Sequence, residues 1–215
     1  QAADIDEARS LLSAAGSDAR IVAKIERSEA IPRLDEIVQA SDAVMVARGD
    51  LGIEVGYAEL TGLQKHILQV ARKHDRVTIT ATQMMESMIQ SPVPTRAEVS
   101  DVANAVLDGS DAVMLSGESA VGKYPVRAVE AMSEVIVGAE KYQIARNSRG
   151  ERFEGRVSEF AQAIAHAVMY TANHMAVEAI VALTESGATP LWMSRIRSDI
   201  PIFAFTRSER TRRRV

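Results

Sequence analysis

IVAKI (residues 21–25), AVMVA (residues 43–47), VTITA (residues 77–81) and AVML (residues 112–115) are four short, nearly continuous apolar runs rich in β-branched residues. Runs of this length and character are what strands buried on both faces show, because helices cover a parallel sheet from outside. Amphipathic segments lie between them. Residues 4–15 carry Ile5, Ala8, Leu11, Leu12 and Ala15, a spacing that fills one helical face. Residues 63–71 repeat the pattern with Leu63, Ile67, Val70 and Ala71. Residues 95–107 open on Thr95 and Glu98 just after Pro94, the signature of a capping box. Residues 125–141 form a further helix, with Pro125 tolerated in its first turn. Strand and helix in alternation predict an α/β fold with parallel strands.

The second part of the chain repeats this grammar. Residues 143–156 (QIARNSRGERFEGR) are polar, break the periodicity and read as a linker. A helix over residues 157–174, a strand over 179–183, a short helix over 190–196 and a strand over 202–205 follow. The expected organisation is a first α/β domain over residues 1–142, the linker, and a partial second α/β domain over residues 157–215.

Composition excludes several classes. Apolar residues at 47% and charged residues at 25% fit a globular chain. No apolar run reaches the roughly 18 residues of a spanning helix, so no membrane partner is expected. Cysteine is absent, which removes disulfides, thiolate metal sites and cysteine nucleophiles, and fits a cytoplasmic setting. A formal net charge of −4 gives no general attraction to nucleic acid.

In parallel α/β folds, ligands lie beyond the C-terminal ends of the strands. Lys24 and Glu26 end the first strand, and alternation puts both on one side. Arg48, Gly49, Asp50, Leu51 and Gly52 follow the second, Thr82 and Gln83 the third, and Ser116, Gly117 and Glu118 the fourth. Glu26 and Asp50 therefore converge, with a lysine and a threonine beside them. Two carboxylates completed by substrate oxygens suit a hard cation such as Mg²⁺, and an ammonium beside the metal stabilises a phosphoryl group in transfer. Gly49 and Gly52 let backbone amides approach a carboxylate or phosphate. Each feature also has a plainer reading. The Lys24–Glu26 pair can be a simple ion pair, and Asp50 can cap a helix. In the second domain, Thr184, Ser186, Gly187 and Thr189 (TESGAT) form an anion-binding loop or an ordinary strand–helix turn. His66, His74, His166 and His174 show no metal spacing. Met84, Met85 and Met88 read as packing, and Trp192 as core or interface. The arginines at 207, 210, 212, 213 and 214 read as a solvated helix face, with a bound phosphate as the alternative.

IVAKIE (21–26), DAVMVARGDLGIE (42–54), TATQMMESM (80–88), PTRAEVSDVANAVLDGSDAVMLSGESA (94–120) and ALTESG (182–187) together resemble pyruvate kinase, in its bacterial form more than its animal one. The resemblance runs in order over nearly the whole chain. It implies the C-terminal half of a (β/α)8 TIM barrel followed by part of a second, allosteric α/β domain. It further implies phosphoryl transfer from phosphoenolpyruvate to ADP, giving pyruvate and ATP in glycolysis. Lys24 matches the lysine that stabilises the transferring phosphoryl group and the enolate oxygen. Glu26 and Asp50 match the ligands of Mg²⁺ or Mn²⁺. Gly49, Asp50 and Thr82 match the groups holding the substrate carboxylate, and Ser116 matches a residue near the proton-delivery network. Thr184, Ser186, Gly187 and Thr189 match the phosphate grip of the effector site for an allosteric phosphometabolite.

A complete barrel needs about 250 residues and eight strands, whereas four strand–helix units precede the linker. The family's N-terminal half would supply arginines for the phosphoryl group, the K⁺ ligands and a lid over the nucleotide. The chain, which starts at Gln1, is therefore expected to be a segment of a larger enzyme, inactive alone, whose intact form is a homotetramer. Two other classes stand beside this one. A metal-dependent lyase or aldolase acting on pyruvate-like substrates would share the acidic pair and would not need ADP. A non-catalytic regulatory module would bind no Mn²⁺ at Glu26 and Asp50.

Overall fold

The computed structural model describes residues 1–146, 157, 159–196, 198–213 and 215. The chain divides into two units, Gln1–Lys141 and Tyr142–Val215. The first runs α1 (Ala2–Ala14), β1 (Val22–Ile25), α2 (Leu34–Ala40), β2 (Ala43–Ala47), α3 (Arg48–Val55), α4 (Tyr57–Lys73), β3 (Val77–Ala81), α5 (Arg96–Leu107), β4 (Ala112–Met114), α6 (Gly117–Ala120) and most of α7 (Pro125–Arg146), whose last residues pass the boundary. Its four strands form one parallel sheet in the order β1-β2-β3-β4. Sequence neighbours are therefore spatial neighbours, each joined by a crossover that carries a helix. All four strands end at one pole of the sheet, which collects the residues that follow them.

The apolar runs became strands because their alternate residues pack against the helices. Ala23, Ile25, Val44 and Val46 are buried, and Ile37, Val38, Ile67, Leu68 and Ala71 from α2 and α4 cover them. A second cluster joins Met84, Met85 and Met88 to Val102 and Ala105 of α5 and Ala128, Ala131 and Met132 of α7. The three methionines are packing residues, as their side-chain adaptability suits. The capping box opens α5 as the sequence indicates: Thr95 Oγ1 accepts from the Glu98 amide, and the Glu98 carboxylate accepts from the Thr95 amide.

Differences from the sequence reading lie where polar residues hide a helix. α4 starts at Tyr57, two turns before its apolar face becomes continuous at Leu63. α2 and α3 have too few residues for a readable period. The expected linker at residues 143–156 begins inside α7, which runs to Arg146; residues 147–156 lie outside the described residues.

The second unit holds α8 (Phe160–Asn173), β5 (Ile180–Leu183), α9 (Ala188–Ser194), β6 (Ile202–Phe205) and α10 (Glu209–Arg212), with β5 and β6 parallel. Its core gathers Ala165, Met169, Ala172, Ile180, Ala182 and Met193, with Trp192 packed against it. Of the five arginines near the end, Arg212 and Arg213 pair with Glu209, and Arg214 lies outside the described residues. No helix among the described residues is long and apolar enough to cross a membrane.

Candidate active site

The end of β1 presents Lys24 and Glu26 on one side, and the Lys24 ammonium forms an ion pair with Glu26 Oε2. Its Nζ also lies 3.8 Å from Asp50 Oδ2, in the first turn of α3. One cation thus stands within reach of both carboxylates. Glu26, first, and then Asp50 hold the Lys24 ammonium above its ordinary pKa of 10.5, against a smaller opposing effect of desolvation. A cleft of about 610 Å³ reaches Lys24 and Glu26 and continues past Arg27, Glu29 and Arg33.

These groups fit a divalent metal. Glu26 Oε2 is screened from solvent, and the Lys24 ammonium is the partner it has among the described residues. Among the described residues no cluster of three or more His, Cys, Asp or Glu side chains is placed to hold a metal. A pair of carboxylates such as Glu26 and Asp50 would suit Mg²⁺, which keeps waters and substrate oxygens as its other ligands.

Thr82 follows β3 with φ of 67°, and Gln83 follows with φ of 54°. A β-branched residue in the left-handed region is an outlier, and such strain of about 1–3 kcal/mol persists only where surrounding contacts enforce it. The contacts are present. The Gly49 amide donates to Thr82 Oγ1 at 2.8 Å, and that hydroxyl donates to Ala81 O at 2.6 Å. The Gly49 amide expected to face a ligand is thus engaged by Thr82. A side chain at Gly49 would meet Thr82 Oγ1 at 3.6 Å, whereas one at Gly52 would meet Leu60 at 3.2 Å. Gly52 therefore serves the close packing of α3 on α4, and the expectation that it admits a ligand is corrected.

Ser116 follows β4, and its amide donates to Glu118 Oε2 at 2.7 Å. In the second unit, Gly187 stands at φ of 87° before α9. Thr184 Oγ1 accepts from the Gly187 amide at 2.9 Å and Ser186 Oγ from the Ala188 amide at 3.3 Å. Thr189 lies in the first turn of α9, and the Thr211 hydroxyl donates to Glu185 O at 2.5 Å. The Thr184 and Ser186 hydroxyls thus accept from the loop's own amides, and an accepting hydroxyl can still donate.

Two charged residues of the strand ends were not singled out from sequence. Arg48 is buried, and its guanidinium serves Thr82 O, Gln83 O and Asp101. Glu118 is buried and accepts from the amides of Met85 and Ser116. The available signal was a charge directly after an apolar strand, since full burial of Arg or Glu requires a complete set of partners.

In parallel α/β units the ligand site lies at the pole beyond the strand ends, which is where Lys24, Glu26 and Asp50 stand here. Residues 1–129 match the family model "Pyruvate kinase, barrel domain", and residues 162–215 match "Pyruvate kinase, alpha/beta domain". The chain is 56% identical over 207 residues to a pyruvate kinase of Buchnera aphidicola subsp. Baizongia pistaciae, covering 94% of this chain and 43% of the relative. It is 55% identical to pyruvate kinase II of Salmonella typhimurium, with 97% of this chain and 44% of the relative covered. Identity to the Haemophilus influenzae pyruvate kinase is 53%, at the same coverages of 97% and 44%. The chain belongs to the pyruvate kinase family, and it spans less than half the length of these curated relatives.

Proposed function

We propose that this chain carries the phosphoryl-transfer centre of a pyruvate kinase. In that reaction the bond from phosphorus to the enol oxygen of phosphoenolpyruvate breaks, and a terminal β-phosphate oxygen of ADP takes the phosphoryl group. A proton then adds to the enolate carbon, giving pyruvate. Negative charge crowds the site throughout, so fixed cations and dipoles supply most of the rate enhancement. The Lys24 ammonium neutralises charge on the moving phosphoryl group and the enolate oxygen. Glu26 and Asp50 would hold Mg²⁺ or Mn²⁺, which acts as a Lewis acid on phosphoryl and enolate oxygens when bound. Gly49 and Asp50, in the first turn of α3, offer amides to the substrate carboxylate, and Thr82 exchanges its contact with Gly49 for that carboxylate. Ser116 serves the proton route from the fourth strand end. K⁺ dependence accompanies the family reading and is assigned to no residue of this chain.

The sheet order and the share of the relatives' length support the half-barrel reading, with residues 1–142 as the C-terminal half of a (β/α)8 barrel and residues 157–215 as part of an allosteric α/β domain. On this reading the 215-residue segment gives no turnover alone, and the intact cytoplasmic enzyme is a homotetramer. The pre-formed loop of Thr184, Ser186, Gly187 and Thr189 supports a grip for an effector phosphate.

The observation that carries the reading is the single ammonium standing between two carboxylates beyond parallel strand ends in a chain of this family. In the full-length protein, Lys24→Ala should cut ADP-dependent pyruvate formation by on the order of 10³-fold while Mn²⁺ still binds. Unchanged turnover removes Lys24 from the mechanism, and pyruvate formation without ADP replaces the kinase by a lyase.

A further inference from the structure

We infer that Arg48 and Glu118 are positioning residues, which grip the turn after β3 from both sides and so set the Thr82 hydroxyl against α3. This rests on the assignment of Thr82 to the substrate carboxylate. The β3 ladder ends at Ala81, so the next carbonyls and amides need other partners. Arg48 supplies them on one side. Its Nη2 donates to Thr82 O at 2.9 Å and to Gln83 O at 3.1 Å, its Nε to Thr82 O at 3.3 Å, and its Nη1 to Asp101 Oδ1 at 2.7 Å. Glu118 supplies the other side, with Oε1 accepting from the Met85 amide at 3.1 Å and Oε2 from the Ser116 amide at 2.7 Å. A planar fork serves two carbonyls and a carboxylate together, which an ammonium point charge does not.

The contacts close a ring. Arg48 holds the Thr82 carbonyl with its side chain, and the next residue, Gly49, holds the Thr82 hydroxyl with its amide. Thr82 is thereby fixed at both ends in a left-handed conformation that a β-branched residue does not adopt unaided. Glu118 joins the fourth strand end to the same segment, because one buried carboxylate holds both the Ser116 amide and the Met85 amide three residues after Thr82.

The test is a double-variant cycle in the full-length enzyme. Arg48→Lys should lower kcat by on the order of 10²-fold, with Mn²⁺ affinity held within about twofold, because the metal carboxylates are not its partners. Thr82→Ala lowers kcat by itself, and the Arg48→Lys/Thr82→Ala double variant should lose no more than Thr82→Ala alone. Losses that multiply overturn the inference. Should Arg48→Lys fail to fold, Glu118→Gln replaces it: the amide keeps one acceptor oxygen, and the same non-additivity with Thr82→Ala is required. An activity-free readout separates this inference from the proposed reaction. In the full-length protein, the Gly49 amide should exchange at least about tenfold faster in Arg48→Lys than in the parent, without a matching change in β2 amides. Unchanged Gly49 exchange overturns the positioning role, whether or not the full-length protein proves to be a kinase.

Discussion

Glu98 closes the capping box of α5 and also ties that helix to the turn Glu86–Ile89, so its removal should be costly for a surface-facing carboxylate. Its oxygens accept from the Ser87 amide at 2.7 Å, the Ser87 hydroxyl at 2.6 Å, the Thr95 amide at 2.7 Å and the Thr95 hydroxyl at 2.8 Å. Thr95 is exposed and regains water when the carboxylate is lost; Ser87 is half-buried and regains less. Loss of a cap costs about 0.5–2 kcal/mol, and a stranded, partly buried donor adds about 1–3 kcal/mol. Glu98→Ala should therefore destabilise the first unit by about 2–3 kcal/mol, or about 5–10 °C in Tm for a unit of this size. The effect carries a pH signature. Partial burial pushes the Glu98 carboxyl up, and the hydrogen bonds from Ser87 and then Thr95 outweigh it, leaving the folded value below the ordinary 4.5. A depressed carboxyl stabilises the fold above its unfolded value and loses that contribution as pH falls through the folded one. The gap between parent and Glu98→Gln in thermal unfolding followed by circular dichroism should thus be widest at neutral pH and close below 4.5. A gap that stays constant down to about pH 3 refutes the charge-assisted cap, and a Glu98→Ala shift under about 2 °C refutes the bond accounting.

Two further outcomes follow from local geometry. Lys24, raised above 10.5 by Glu26 first and Asp50 second, keeps its charge to higher pH than an ordinary lysine. Its stabilising share is full below 10.5 and is lost only as pH rises through the higher folded value. An NMR titration of ¹³C-methylated lysines should show Lys24 titrating last in its neighbourhood and moving down in Glu26→Gln; a Lys24 midpoint at or below the ordinary value contradicts the ion-pair geometry. Gly187→Ala forces a side chain to φ of 87° and places its Cβ 2.9 Å from Val215 Cγ1. It should cost the second unit about 1–2 kcal/mol, read as an earlier midpoint in urea from the fluorescence of Trp192, and an unshifted midpoint contradicts the left-handed cap.

The placement of Lys24, Glu26, Asp50 and Thr82 beyond the strand ends was legible because two local rules suffice to find it. Apolar runs mark the strands, and parallel topology sends whatever follows each strand to one pole. The structure adds that one ammonium reaches both carboxylates, Glu26 from its own strand, as the two-residue spacing had suggested, and Asp50 from the next strand end. α2 was not legible, because seven residues hold barely two turns and no period repeats. The glycines of α3 were read as allowing ligand approach, with a helix start at Asp50 as the plainer reading, and Gly52 proved to be a packing contact with Leu60.

Arg48 and Glu118 were missed for a different reason. Their roles are set by partners 33 to 53 positions away, at Thr82, Asp101 and Met85, and no local pattern encodes such pairings. Both stand in motifs that were quoted for their neighbours, ARGDLG for Asp50 and SGES for Ser116. A motif identifies a stretch, and the structure divides it into groups that face a ligand and groups that hold those groups. Burial makes the division here: Asp50 is exposed and aimed toward a cation, whereas Arg48, two residues earlier, is buried with every donor group of its fork engaged. A strained Thr82 therefore needs no strain-tolerant residue in its place, because the buried Arg48 guanidinium holds the Thr82 and Gln83 carbonyls and the buried Glu118 carboxylate holds the Met85 amide three residues on.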